Sequence, residues 1–251
     1  GSQQMILVLM LLLPMGTAIL LIPQPQRVKW QFHINLVGTV LLTVAAVYLF
    51  SEIVSEGILT IQLGNWPAPY GITLVADLLS GIMIILSAVT ALAVSIYSHR
   101  SIPAEHVAGR YYPLMQFMLM GIIGAFLTGD LFNLYVWFEV LLIASFGLMT
   151  LKGSRPQFAG AFKYVTINMV ASLMFLSSLA LIYGISGTLN MADLARKIAE
   201  PGDHFLLHSA ALLLLTAFGI KAAVFPLYFW LPAAYHTTPI PRAAIFADLL
   251  T

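Results

Sequence analysis

Seven apolar segments, each close to the length that an α-helix needs to cross a lipid bilayer, dominate this sequence. A spanning helix takes roughly 17 to 25 residues, and the segments are residues 5–22, 34–55, 72–97, 112–128, 131–151, 164–186 and 206–231. Because lipid offers no hydrogen bonds to backbone groups, such segments form helices rather than open sheets. The predicted fold class is therefore all-α, a polytopic transmembrane helix bundle.

The composition agrees with a lipid environment and excludes several kinds of site. Hydrophobic residues make up 60% of the 251 residues and charged residues 8%, whereas soluble domains carry about a quarter charged residues. A net charge of +1 without a Lys/Arg run argues against a nucleic-acid partner. The lack of cysteine excludes disulfides, thiolate zinc sites and cysteine-held iron–sulfur clusters. With no phosphate-binding or metal motif either, we predict no cofactor and no metal.

An eighth apolar segment begins after Pro241, but the sequence stops at Thr251. At about 1.5 Å per residue, this segment reaches only about half way across a bilayer. We therefore expect the chain to end inside an eighth helix and the natural protein to continue beyond it.

The basic residues predict an orientation in the cell membrane. The even-numbered connections contain Arg196 and Lys197, both offset by acids, whereas the odd-numbered ones contain Arg27, Lys29, Arg100, Arg110, Lys152, Arg155, Lys163 and Arg242. Because cytoplasmic loops carry an excess of Lys and Arg, the amino terminus is predicted to lie outside. The longest connection, residues 187–205, is then extracytoplasmic.

This connection contains a short amphipathic pattern. Leu189, Leu194 and Ile198 share one helical face, and Asn190 is a candidate N-cap. We predict a short helix on the membrane surface that covers the bundle, with docking of a partner as the alternative.

Two ionisable residues fall deep inside predicted spans. Glu139 lies eight residues after Leu131, roughly 12 Å into its span, and Lys221 lies fifteen residues after Leu206, roughly 22 Å from that end. An ionisable group near the bilayer centre costs about 2.5 to 3.5 kcal/mol and needs a polar partner or water. Untilted helices would leave the two groups about 10 Å apart in depth, a gap that tilt or a helix break can narrow.

The sequence around Lys221 predicts such a break. Pro226 removes a backbone donor and Gly219 weakens the helix further, and broken helices at membrane depth line cavities or ion paths. An acid and an amine in such a cavity form a proton relay, because their charge states depend on how close they are. The alternative is a fixed ion pair that locks two helices together.

Several other polar residues are weaker candidates. Asp77, near the outer end of the third segment, is either a helix-end anchor or a functional acid. His236 titrates near neutral pH and is either a relay or an ordinary loop histidine. Asp248 lies six residues from Arg242, too far for a same-face pair. His204 and His208 share a helix face, where packing at the membrane interface is favoured over metal binding because no third ligand is evident.

Residues 129–147 (GDLFNLYVWFEVLLIASFG) resemble the antiporter-like membrane subunits shared by Mrp cation/proton antiporters and respiratory complex I. Residues 219–232 (GIKAAVFPLYFWLP) and 247–251 (ADLLT) carry the same resemblance. The pieces FNLYV and VLLIAS are most similar to the D subunits of Mrp antiporters.

The resemblance implies a fold of about fourteen helices with two inverted five-helix repeats. Residues 1–110 would then be three leading helices and residues 111–251 an incomplete first repeat, with the second repeat absent. Glu139 and Lys221 would be the glutamate and the broken-helix lysine of the proton path, and His236 a relay. The sequence departs from the family in that Asp248 replaces a usually small residue and the family's next lysine would follow Thr251.

Three functions are open from the sequence. The leading one is a membrane subunit of a multisubunit Na⁺/H⁺ antiporter, which is a transporter rather than an enzyme. Its partners would be other membrane subunits, protons and a monovalent cation, with Na⁺ expected. The second is a proton-pumping subunit of complex I or of a membrane-bound hydrogenase, which would be a translocase. The third is a scaffold bundle that moves no ion.

Overall fold

A computed structural model of the chain describes residues 2–151, 153–200, 202 and 205–222. The helices are α1 (Ser2–Leu21), α2 (Val28–Glu56), α3 (Leu78–Ser101), α4 (Ala104–Ala108), α5 (Tyr111–Leu127), α6 (Leu131–Met149), α7 (Arg155–Ser186), α8 (Met191–Ile198) and α9 (Phe205–Lys221). Two strands, β1 (Leu59–Gln62) and β2 (Thr73–Ala76), lie between α2 and α3.

Seven of these helices correspond to the seven predicted spans. By length and apolar composition α1, α2, α3, α6 and α7 are long enough to cross a membrane, and α5 and α9 are shorter apolar helices of 17 residues. A 17-residue helix is about 26 Å long, so both still approach the thickness of the hydrocarbon core. The predicted polytopic helix bundle is confirmed, whereas the break at Pro226 and the eighth helix lie outside the described residues.

The third span starts later than predicted. The sequence predicts helix over residues 72–76, but Thr73–Ala76 instead pairs antiparallel with Leu59–Gln62. The helix begins at Leu78, where the Asp77 carboxylate accepts a hydrogen bond from the Ser80 backbone N–H at 2.8 Å and the Ser80 hydroxyl accepts one from the Asp77 N–H at 2.8 Å. This reciprocal cap satisfies two backbone donors that a helix start would leave unpaired. Asp77 therefore lies at a helix end.

Hydrogen bonds join three of the connections between helices at one end of the bundle. The Gly129 N–H donates to Thr73 O at 2.8 Å, the Leu131 N–H to Leu189 O at 2.9 Å, and the Met191 N–H to Gly129 O at 2.8 Å. The Asn190 side chain also donates to the Thr73 hydroxyl at 3.1 Å. We call residues 59–76, 128–131 and 187–191 the hydrogen-bonded cap. They belong to the three even-numbered connections, so the helices alternate in direction as predicted.

The predicted surface helix is present as α8. Asn190 caps it, its side-chain oxygen accepting a hydrogen bond from the Asp193 N–H at 3.1 Å. Asp193 pairs with Arg196 at 2.8 Å and more loosely with Lys197 at 3.8 Å. A hydrogen bond from Thr188, followed by these two cations, lowers the pKa of Asp193. Leu194 is buried, so α8 packs its apolar side on the bundle.

Two glycines let α5 and α6 approach closely. A Cβ atom at Gly121 would lie 2.9 Å from Leu141 Cγ, and the indole ring of Trp137 occupies the place that a Cβ atom at Gly124 would take. The Trp137 N–H donates to Asn133 at 2.8 Å, which orients the ring. Small residues allow membrane helices to pack closely in this way.

A buried polar cluster joins α2, α3 and α5. We call Asn35, Thr39, Ser95 and Gln116 the leading-helix polar cluster, and all four side chains are fully buried. The Gln116 side-chain amide donates to Asn35 Oδ1 at 2.7 Å and to the Thr39 hydroxyl at 3.1 Å, and the Asn35 side-chain amide donates to the Ser95 hydroxyl at 3.0 Å. In lipid, such hydrogen bonds hold helices together where the hydrophobic effect cannot.

Replacing Gln116 with Leu is expected to lower the free energy of unfolding by about 1 to 2 kcal/mol. The Asn35 and Thr39 oxygens lose their shared donor and remain buried. Thermal unfolding of the protein in detergent measures the change. Thr43→Val is the matched control, because the Thr43 hydroxyl donates within its own helix to Thr39 O at 2.9 Å. Equal losses in both variants would contradict an interhelical role for the cluster.

Candidate functional site

The site is built on α6, whose start is well defined. The Asp130 carboxylate accepts a hydrogen bond from the Asn133 N–H at 2.8 Å and caps the helix. Burial raises the pKa of Asp130, and hydrogen bonds from the backbone at Asn133 and Phe132 offset part of this effect. Because α6 begins at Leu131, Glu139 lies about 12 Å along the helix axis, as the sequence predicted.

Glu139 lies at the boundary between the packed and the exposed sides of α6. Phe138, one residue before it, packs into the bundle, whereas Phe132, Val136 and Ile143 on its other side are exposed hydrophobic residues. One carboxylate oxygen, Oε1, is buried and accepts no hydrogen bond from any described residue. Buried polar atoms without partners are rare and unfavourable, so this oxygen requires a polar group from elsewhere.

Lys221, at the end of α9, approaches the same level of the bundle. Its Nζ atom lies 5.5 Å from the centre of the Phe138 ring, a cation–π distance. Phe138 directly precedes Glu139, so the lysine side chain reaches the neighbouring position on α6. The described side chains of Lys221 and Glu139 form no direct ion pair within 4.0 Å.

Aromatic rings surround the contact between α6, α7 and α9. The Phe138 ring centre lies 5.7 Å from that of Phe175 and 6.0 Å from that of Phe218, and the Phe175 and Phe218 centres are 5.4 Å apart. Tyr135 stacks on Phe175 at 5.9 Å. These rings pack the three helices together beside Lys221 and Glu139.

A row of polar residues on α7 faces this region and was missed by the sequence reasoning. Tyr164, Asn168 and Ser172, which we call the α7 polar stripe, are all buried. The Tyr164 hydroxyl donates to the Ser145 hydroxyl on α6 at 3.2 Å, and Asn168 donates to Tyr164 O at 2.9 Å. Ser172 Oγ has no partner among the described residues. The spacing of four residues in an otherwise apolar helix was the signal that could have revealed the stripe.

The remaining candidates lie elsewhere or outside the described residues. Asp77 is at the start of α3, where it caps that helix. His236, Asp248 and His204 are outside the described residues. Within residues 2–151 and the other described ranges, no three His, Cys, Asp or Glu side chains come together as a metal site.

Comparison with known proteins supports the resemblance noted in the sequence. The family described as NADH:quinone oxidoreductase/Mrp antiporter, TM, matches residues 128–251. The chain is 41% identical to the D subunit of the Na⁺/H⁺ antiporter of Bacillus subtilis over 97% of its own length and 50% of that protein. It is 42% identical to the D subunit of a probable K⁺/H⁺ antiporter of Rhizobium meliloti over 97% of its length and 46% of that protein. The chain thus spans about half the length of these relatives.

Two solved structures have the same fold. A chain of the Mrp complex from Dietzia superposes with a TM-score of 0.92 at 29% identity, covering 100% of this chain and 47% of that one. A chain of the membrane-bound sulfane sulfur reductase, an archaeal respiratory membrane complex, gives a TM-score of 0.90 at 28% identity, with coverages of 97% and 50%. The chain therefore belongs to the family of antiporter-like membrane subunits, with the D subunits of Na⁺/H⁺ antiporters among its relatives.

Proposed function

We propose that this chain acts as part of the D subunit in a multisubunit Na⁺/H⁺ antiporter and carries protons along a path through Glu139 and Lys221. The observation that carries the proposal is the contact of Lys221 Nζ with the ring of Phe138, the residue before Glu139, at 5.5 Å from the ring centre and without a direct ion pair between the described Glu139 and Lys221 side chains. Membership of the antiporter-like family supports the same interpretation.

The geometry suits a proton relay better than a helix lock. A fixed ion pair would bring the carboxylate and the ammonium into contact, because separated charges inside a bilayer gain little and lose their hydration. A gap between an acid and a base leaves room for water, and the charge that each group carries then depends on their separation. A small movement of α9 relative to α6 would pass a proton from one group to the other.

The same proposal predicts how the chain is divided and how it is oriented in the membrane. Residues 1–110 would form the three leading helices and residues 111–251 the beginning of an antiporter-like repeat. The face that carries the hydrogen-bonded cap would lie outside, because the connections on the other face contain Arg27, Arg110 and Arg155. The amino terminus would then also lie outside.

A second candidate function is proton pumping driven by electron transfer. The similarity to a chain of an archaeal respiratory membrane complex favours it, as does the inclusion of NADH:quinone oxidoreductase in the matching family. In that case the same Glu139 and Lys221 would serve a translocase, with redox subunits as partners.

Proton flux in everted membrane vesicles that carry the complete complex tests the proposal. After respiration has acidified the vesicle interior, adding NaCl should collapse the pH gradient within seconds, and vesicles without the complex should keep it. Collapse of the gradient by KCl instead of NaCl would mean that the protein is an antiporter that exchanges K⁺ rather than Na⁺ for protons. Proton movement that ignores both cations and stops when the electron donor of the complex is withheld would replace antiport with redox pumping. If the complex moves no protons under either condition, the scaffold function is the one that remains.

A further inference from the structure

Two buried polar atoms, one on α6 and one on α7, lack partners among the described residues. They are Oε1 of Glu139 and Oγ of Ser172. A serine in a membrane helix usually donates to the carbonyl four residues earlier, as Ser177 does to Leu173 O at 2.8 Å on the same helix. Ser172 makes no such bond, so its hydroxyl is available to another group.

Two contacts between α6 and α7 lie on either side of these two residues. Phe138 contacts Phe175 with ring centres 5.7 Å apart, and Ser145 accepts a hydrogen bond from Tyr164 at 3.2 Å. Glu139 lies between the two α6 residues in sequence, and Ser172 lies between the two α7 residues. Because the helices run antiparallel, both residues lie in the stretch between these two contacts.

The two side chains also lie on the same side of the contact. Ser172 is three residues before Phe175, so it shares the buried face of α7 that meets α6. Glu139 follows Phe138 by one residue and precedes the buried Leu142 by three, so it borders the α7-facing side of α6. Neither atom reaches the other directly, since both lack a partner within hydrogen-bonding distance.

We propose that Glu139 and Ser172 share a bound water molecule. Asn168 and Tyr164 of the α7 polar stripe extend the row of polar groups from this water toward Ser145. The water donates to Glu139 Oε1 and pairs with Ser172 Oγ, which satisfies both orphaned atoms. Buried waters occupy polar sites with two to four partners. The inference rests on the proposed function, because Glu139 is the group that this water serves. Ser172 is thus a positioning residue for the proton path.

Filling the water site should slow proton flux in the complete complex. Ser172→Val removes the hydroxyl and occupies its space, and we expect a loss of about tenfold in cation-driven flux per assembled complex. Ser172→Thr keeps a hydroxyl and should retain most of the flux. Ser177→Val is the matched control, because Ser177 is exposed on the same helix and bonds its own backbone.

Infrared difference spectroscopy separates water binding from a structural role. The band of the protonated Glu139 carboxyl is identified by its loss in Glu139→Gln. It should move to higher wavenumber in Ser172→Val, where the carboxyl loses a hydrogen bond, and stay in place in Ser177→Val. An unchanged band and unchanged flux in Ser172→Val, with Glu139→Gln inactive, would overturn this inference alone. Full flux in Glu139→Gln would instead overturn the proposed function.

Discussion

Replacing Glu139 with Gln is expected to reduce cation-driven proton flux by at least about 100-fold, the scale of a lost proton-transfer group. Gln keeps the size of the side chain and both hydrogen-bonding positions, but it cannot take up or release a proton at physiological pH. Flux is measured in everted vesicles and divided by the amount of assembled complex. This correction separates transport from assembly.

Lys221→Met provides the reciprocal variant, and Glu56→Gln the control. Removing the ammonium should reduce flux as strongly as Glu139→Gln, and the double variant should be no worse, because the two groups act as one unit. Glu56 is exposed at the end of α2, so its replacement should leave flux unchanged. Normal flux per complex in both Glu139→Gln and Lys221→Met would show that neither side chain lies on the proton path.

Replacing Gly124 with Leu is expected to cost about 3 kcal/mol of stability and to deplete the assembled complex. The Trp137 ring already occupies the space where the new side chain would begin, so α5 and α6 must separate. Because α6 carries Glu139, this separation also displaces the candidate site. The measurements are the yield of detergent-extracted complex and its thermal unfolding temperature.

Gly184→Leu is the matched control for this variant. Gly184 is also a helical glycine, on α7, but a Cβ atom there would meet nothing within 4 Å. It should therefore be tolerated. Trp137→Ala, combined with Gly124→Leu, should recover part of the lost stability by making room between α5 and α6. Normal yield of Gly124→Leu alone would mean that the size of this residue does not limit the approach of the two helices.

The helices could be predicted from the sequence because hydropathy and length alone determine which segments enter a bilayer. The antiparallel pair of strands β1 and β2, which we call the hairpin, could not be predicted, because Thr73–Ala76 is apolar and reads as the start of the third span. Its pairing with Leu59–Gln62 depends on a contact across a turn rather than on local composition. The sequence leaves Asp77 as either a helix-end anchor or a functional acid, and the structure shows that its carboxylate caps α3.

The sequence predicts Glu139 and Lys221 as candidate residues but not how they are arranged. Glu139 and Lys221 stand out because charges are costly in lipid. Their relative depth depends on how α6 and α9 tilt and pack around Phe138, which arithmetic along each helix does not include. Ser172 does not stand out, because a serine in a membrane helix is ordinary until its missing backbone hydrogen bond is seen.

The hydrogen-bonded cap has a mechanical consequence for α6. Gly129 and Leu131, at the amino-terminal end of this helix, are bonded to the hairpin on one side and to the start of α8 on the other. The amino-terminal end of α6 is therefore fixed to two other connections, whereas Thr150 at its carboxy-terminal end forms hydrogen bonds only within its own helix among those described. A tilt of α6 about this end would displace Ser145, six residues farther along the helix, more than Glu139, and would have to carry or break the hydrogen bond from Tyr164 to Ser145.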